Sequence, residues 1–495
     1  MSRRWMGWLM LLAIGVHDSA GAEISIKPSA PSSNHDRAGS VLLSGQTTNL
    51  TLGDAVYLGL RNNRGIRSAY LQRVAQKFDL RISEDTFSPK LLLSARYQTN
   101  KGSQDRGQQS SVTPTTSLLS EYGTRLSLAW TQQLSNADRA GRYRSDGLDL
   151  SVVQPLLRGA GWDVTTAPVR QARLAEQANR LALKANVAQT ISQIISTYRE
   201  ILRSQEQLKI SQAALERSRA LLAVNRALIE TGRMAEFEIV QTEADIASQE
   251  LGVEEAQNLV DISRLSLLRL LALDLSTPIR ASEALEAVRM EVNRQDALRL
   301  AQQQQPEYLA QLIGSEQADI NLVVAKNQSL WDVSLVAGAN QVRDRFNSDY
   351  NSGGGRRWDS YAGIQVEIPI GDLSTRRAEV YARVEVQNQE LVLADARQAL
   401  ERSVNDVVRD LGVRWRQYEI SLRAVELSKR KLEIEREKLN VGRSSNFQVL
   451  SFENDLRNAE NARLTTLIAY LNAQTRLDLT LGMTLESWDI ALNDF

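Results

Sequence analysis

Two stretches of 109 residues each, 169–277 and 373–481, contain no proline and only two glycines apiece. Proline breaks a helix interior and glycine weakens one, so runs this long with so little of either are set up for long helices. Apolar residues recur at coiled-coil spacing: Ile194, Tyr198, Ile201, Leu208, Leu215, Leu222 and Ile229 in the first run, Val404, Val408, Leu411, Trp415, Tyr418, Leu422, Val425, Leu432 and Leu439 in the second. Sustained heptads mean helices supercoiling on helices, here with polar interruptions such as Gln205 and Lys429. Gly232 and Gly442 are natural left-handed caps, so each run is expected to double back there as a helical hairpin. A first long helix over 163–230 is roughly 100 Å long, the returning helix 236–276 about 60 Å, and an earlier helix over 64–88 about 37 Å. The two shorter helices together match the long one and are expected to lie end to end beside it.

The chain repeats itself. TGRMAEFEIVQTEADI (231–246) aligns with VGRSSNFQVLSFENDL (441–456) at an offset of 210, which also carries Leu271 onto Leu481. SPKLLLSARY (88–97) aligns with LWDVSLVAGA (330–339) at an offset of 242. Each half reads as helix, strand region, very long helix, turn, returning helix. The expected division is a signal peptide (1–22), a flexible leader (23–49) rich in Ser, Gly and Asn, a first repeat (50–276), a linker (277–296), a second repeat (297–484) and a C-terminal tail (485–495). The strands fall at about 90–155 and 331–370, and the long helix hairpins at 163–276 and 374–482.

Within the strand regions the period is two. Ile364, Val366, Ile368 and Ile370 alternate with Gly363, Gln365, Glu367 and Pro369, and Leu148, Leu150 and Val152 alternate with Asp149 and Ser151. One apolar and one wet face suits a membrane barrel with a polar lumen, and equally a soluble sandwich. Neighbouring helices of about 100 Å favour the barrel. Trp162 and Trp331 are expected in an aromatic girdle at the periplasmic end, and Trp130, Trp358 and Tyr361 at the outer end. Loops 100–120 and 344–357 read as exposed tips. The segment 124–133 also alternates, yet three crossings would leave the next helix on the wrong side. Two crossings per half are therefore expected, with 124–133 extending a strand or lying outside the membrane.

Arg3 and Arg4, the apolar run to Val16 and Ala20-Gly21-Ala22 form a secretory signal, too short to span a bilayer. No Cys follows the cleavage site, so no lipid anchor is expected there. Nor does any later segment hold about 18 consecutive apolar residues, which leaves a soluble protein or a β-barrel. The chain has no cysteine, and its two histidines are His17 and His35. That inventory argues against His–metal sites and against Ser–His or Cys–His catalysis. Acidic and basic residues balance at 59 each, which gives no sign of a nucleic-acid partner.

Two crossings per half make four strands per chain, whose open edges in lipid would have to close against further copies. NLTLGDAVYLGLRNN (49–63), SVVQPLLRGAG (151–161) and the paired GRxxxFxV turns resemble the TolC-like outer-membrane efflux protein family across nearly all of the mature sequence. The resemblance implies an α+β membrane protein: a homotrimer whose twelve-stranded barrel, four strands per chain, sits in outer-membrane lipid and continues into a helical periplasmic tunnel. It implies a passive, cofactor-free and non-enzymatic export duct, docked onto a periplasmic adaptor and an inner-membrane transporter in tripartite efflux or type I secretion. The docking tips would carry Gly232, Arg233, Gly442 and Arg443. The family's best-known member has two aspartates three apart at the second tip, where this chain has Gln448 and Ser451. Glu238, Gln241, Glu243, Glu453 and Asp455 are the further candidates for the periplasmic aperture. No metal ligands or catalytic residues are assigned. The competing reading is an exported coiled-coil structural or adaptor protein.

Overall fold

The computed structural model describes residues 48–101, 106–138, 141–347 and 351–492. The expected signal peptide and the leader through residue 47 lie outside them. In chain order the elements are β1 (Thr48–Leu50), α1 (Leu52–Asn62), α2 (Arg64–Glu84), β2 (Lys90–Lys101), β3 (Arg106–Leu119), β4 (Arg125–Ala137), β5 (Gly141–Pro155), α3 (Trp162–Thr165), α4 (Ala167–Glu230) and α5 (Glu238–Leu270). The second half follows with β6 (Ile279–Ala281), α6 (Arg294–Gln304), α7 (Pro306–Gln328), β7 (Asp332–Asn347), β8 (Ser352–Glu367), α8 (Ser374–Asn440), α9 (Asn446–Leu481) and α10 (Thr484–Ser487). At 1.5 Å per residue α4 and α8 are about 96 and about 100 Å long. Among the described residues no helix is long and apolar enough to cross a membrane.

Both α2 and α5 pack on α4, and α7 and α9 pack on α8. Where α1, α2 and the end of α5 meet the middle of α4, Ile66, Ile191, Ile194, Tyr198, Leu267 and Leu271 are fully buried in one cluster. The segment 49–63 builds this joint. Leu50 is buried, and its carbonyl accepts a 2.8 Å hydrogen bond from the Tyr198 hydroxyl. Thr51 and Asp54 form a reciprocal capping box at the start of α1, each side chain bonding the other's N–H. Gly59 lets α1 approach α4, because a Cβ there would run into Ile194. Asn63 caps α2 and donates to the Leu270 carbonyl at the end of α5, 2.8 Å away. In the second half Ala297 and Ala301 of α6 pack on Leu400, Val404 and Leu411 of α8 and on Tyr470 and Leu477 of α9. Two expected boundaries shift here. Leader residues Thr48 and Asn49 belong to β1, which pairs in parallel with β6 inside the expected linker. Leu485 of the expected tail is buried, with Trp488, Ile490 and Leu492 packed on the same cluster.

The sheet departs from expectation. All its strands are antiparallel and run in the order β2-β3-β4-β5-β7-β8, so the described residues hold six strands of this sheet where four were expected. The expected loop 100–120 is largely β3, segment 124–133 is strand β4 from Arg125 on, and most of 344–357 is the end of β7 and the start of β8. Parity survives because 106–119 and 125–137 are both strands. Four strands in the first half and two in the second return the chain to the helical side each time. The repeat offset falls from 242 at the strands to 210 at the turns, a difference of 32, and Arg106–Ala137 is 32 residues long. The first half carries an additional hairpin.

Replacing Ile194 with Ala removes three carbons from a fully buried site on α4 and should cost about 2–4 kcal/mol. The expected outcome is a lower Tm for the detergent-solubilised protein, with a much smaller change for the exposed Ile420→Ala.

Candidate functional site

The two hairpin turns are built alike. Gly232 (φ +70°) donates to the Ile229 carbonyl and Arg233 N–H to Leu228, both at 2.8 Å. Gly442 (φ +74°) repeats the pattern, donating to Leu439, with Arg443 N–H donating to Lys438. These are Schellman caps, and the left-handed conformation at their centre explains why glycine stands at both turns. The turns also touch. Arg233 Nη2 donates to the Asn440 carbonyl at 3.2 Å, placing a cation at the negative end of α8. Arg443 is exposed.

A buried polar cluster ties the two hairpins together just behind the turns. Asn225 of α4, Thr242 of α5 and Asn446 of α9 have no exposed surface. Asn225 Nδ2 donates to Thr242 Oγ1 and to Asn446 Oδ1, both at 2.8 Å, and Asn446 Nδ2 donates to Thr242 Oγ1 at 2.9 Å and to the Glu238 carbonyl at 3.3 Å. Buried amides cost free energy unless bonded, so this arrangement fixes how the hairpins meet.

The expected aperture residues differ in exposure and in partners. Glu453 is buried and clamped between Arg217 of α4, 2.8 Å away, and Arg436 of α8. It cannot line a mouth in this conformation, which corrects its assignment. Exposed Glu243 pairs with Arg226 at 3.5 Å, and exposed Asp455 with Lys431 at 2.9 Å. Gln241 is exposed, while Glu238, Gln448 and Ser451 are half-buried. Glu435 accepts from Ser444 at 2.6 Å and from Lys438 at 3.0 Å, and the Ser444 hydroxyl, then Lys438, hold its carboxyl below the ordinary value.

Sequence reasoning missed Asn225, Thr242, Asn446, Arg217 and Arg436. A signal for the first existed. Ser204, Ser211, Ser218 and Asn225 are all buried and recur every seven residues, making them the second seam of the α4 heptad.

At the other end, Trp331 directly precedes β7 and Trp162 opens α3, both about half exposed and both where strands give way to helices. Arg158 pairs with Asp332 at 2.7 Å, Gly159 N–H donates to Asn327 Oδ1 at 2.7 Å, and Asn327 Nδ2 returns a bond to the Leu157 carbonyl at 3.0 Å. These contacts fix β5 against β7 at the switch from strand to helix. Trp130 and Trp358 share one sheet face, whereas Tyr361 lies on the other, its ring covering Gly338.

Removing the Glu453 carboxylate by Glu453→Ala leaves Arg217 and Arg436 facing each other. The expected cost is about 2–3 kcal/mol of local opening energy, less than for a sealed pair because Arg436 is over a third exposed. Hydrogen exchange across 436–456 reads it. Because the folded-state carboxyl of Glu435 titrates below its unfolded value, its contribution is full at neutral pH and lost on acidification. Protection of amides 441–446, corrected for intrinsic exchange, should hold to about pH 5 and fall below about pH 4, and Glu435→Gln should abolish that dependence.

No family model and no curated protein sequence matches the chain. Solved structures do. The Campylobacter jejuni CmeC outer membrane channel superposes with a TM-score of 0.66 at 16% identity, over 88% of this chain and 86% of that one. The outer membrane protein VceC of Vibrio cholerae gives 0.65 at 17%, over 87% and 96%. The open state of the Neisseria gonorrhoeae MtrE outer membrane channel gives 0.66 at 16%, over 88% and 89%. The chain therefore has the TolC-like fold of these outer-membrane channels.

Proposed function

We propose that the protein is the outer-membrane subunit of an export duct, a passive channel from periplasm to exterior. The observation that carries this reading is a six-stranded sheet with one apolar face, running directly into two helical hairpins of about 100 Å. Leu126, Leu128, Trp130, Leu148, Leu150, Leu335, Ile364 and Val366 all stand on that face, each more than a third exposed. Water does not favour so large an apolar surface, whereas hydrocarbon accepts it. The strands at its borders, β2 and β8, are exposed along every residue. In lipid their unpaired N–H and C=O groups would each cost several kcal/mol, so the sheet closes with copies of itself. Three copies, the number the family resemblance implies, would place the hairpin turns together at the periplasmic end. There the exposed Gly232, Arg233, Gly442 and Arg443 offer a docking surface for a periplasmic adaptor, and an inner-membrane pump supplies the energy. Glu243, Gln241 and Asp455, exposed behind the turns, are the remaining candidates for the aperture. A plain coiled-coil structural protein would have no use for the sheet.

Single-channel recording in a planar bilayer tests the reading. Because the chain has no other cysteine, the variant Arg233→Cys/Arg443→Cys can be oxidised across the tips alone. Expected are a steady conductance from inserted oligomers, a decrease on oxidation and recovery with reductant. A protein that never inserts would sink the duct.

A further inference from the structure

Resting on that reading, we propose that β3 and β4 are two additional membrane crossings, so that each copy lends six strands to the barrel and the trimer closes with eighteen rather than twelve.

The hairpin spans the full height of the sheet. β2 and β3 pair from Lys90↔Ser117 to Lys101↔Arg106, and β4 and β5 pair from Arg125↔Val153 to Ala137↔Gly141. Its turn is seated at the strand–helix junction, not free beyond it. Gly161 N–H donates to the Tyr122 carbonyl at 3.3 Å, and Gly123, at φ +94°, fits against Gly159 and Pro155 where a Cβ would strike the Gly159 carbonyl. β4 is bonded along its length to β3 on one side and β5 on the other. Both edges of β5 are therefore occupied, by β4 and β7, and β2 has no access to it. The β3–β4 ladder skips Thr113 and Pro114, where proline lacks a donor, and Thr113 Oγ1 bridges to Thr131 Oγ1 at 3.3 Å.

The faces agree as well. One cross-strand row reads Leu118, Leu126, Val152, Ala337, Ala362, and the next row on that face has Leu91, Thr116, Leu128, Leu150, Ala339, Ser360. The row between them, on the opposite face, reads Lys90, Ser117, Ser127, Ser151, Gly338, Tyr361. An insertion outside the membrane has no reason to continue this alternation in phase. Strands of 14 and 13 residues exceed the 9–11 that a tilted crossing needs. With strands about 4.8 Å apart and tilted about 40°, the backbone radius grows from roughly 12 Å for twelve strands to roughly 18 Å for eighteen. The exit is then wider, and passes bulkier cargo, than a twelve-stranded barrel allows.

Single-cysteine variants in outer-membrane vesicles test this. Leu128→Cys and Ser127→Cys probe β4, with Leu150→Cys and Ser151→Cys in β5 and Ile364→Cys and Gln365→Cys in β8 as references. The probes are a water-soluble maleimide and a lipid-tethered quencher of a cysteine-attached dye. Expected is severalfold slower maleimide reaction, with stronger quenching, at Leu128 than at Ser127, matching both references. Alternation in β5 and β8 with uniform aqueous reactivity in β4 would overturn the additional crossings and leave the duct standing. Loss of alternation in all three strands would overturn the barrel itself. Oxidation of Ser127→Cys/Ser151→Cys supplies a second readout, with an intrachain disulfide expected and its absence counting against β4 as the neighbour of β5.

Discussion

A backbone amide has no partner in hydrocarbon except another backbone group, and in the duct proposed for this chain that constraint governs the layout. It accounts for the pairing of β3, β4, β5 and β7 on both sides, and it leaves β2 and β8 to find partners in other copies. It also requires the change from strand to helix to happen in protein-lined surroundings. Residues 155–161 meet that requirement with the Arg158–Asp332 ion pair and the reciprocal bonds between Asn327 and the 157–159 backbone. Beyond that junction helices satisfy their own backbone, and in the proposed duct water would replace lipid as the solvent.

The helical part solves a different problem. A rod of about 96 Å has too little surface of its own to bury, and it becomes rigid only by leaning on neighbours. Two shorter helices share the length of α4, and their meeting point needs capping groups for two helix ends at once. Asn63 serves both, accepting from α2 and donating to α5. The largest apolar cluster lies at this joint, so stability concentrates where the partner helix is interrupted. Toward the turns the packing changes character, with Ser218, Asn225 and Glu453 buried among polar partners. Beside an apolar cluster that includes Leu432, Leu439 and Val449, polar packing of that kind specifies geometry at little net gain in stability.

Much of this was legible in the residues, and the reasons are physical. Helices announce themselves by lack of proline and by heptads, so α4 and the α8–α9 hairpin lie within four residues of the expected bounds, while α5 stops at Leu270, six residues short. The segment 49–63 was recognisable, but its role as a joint depends on Ile194 and Leu270, far away in sequence. The strand count failed at β3. RGQQSSVTPTTSLL has a proline and few apolar residues, so composition reads it as a loop, and only pairing with β2 and β4 makes it a strand. The difference of 32 between the two repeat offsets held the missing hairpin in plain view. At the turns, Glu453 looked like any charge on a helix face, because Arg217 and Arg436 approach it from other helices.

The additional hairpin also says something about how such a molecule can change. A strand that leaves the helical side must be matched by one that returns, so a sheet of this kind grows only by even increments in each half. The helices, their turns and the joint at mid-length are untouched by the insertion of 32 residues between β2 and β5. Sheet and helical hairpins are thus separately inheritable parts: in the proposed duct the bore of the barrel would widen in whole hairpins while the helical end keeps its original gauge.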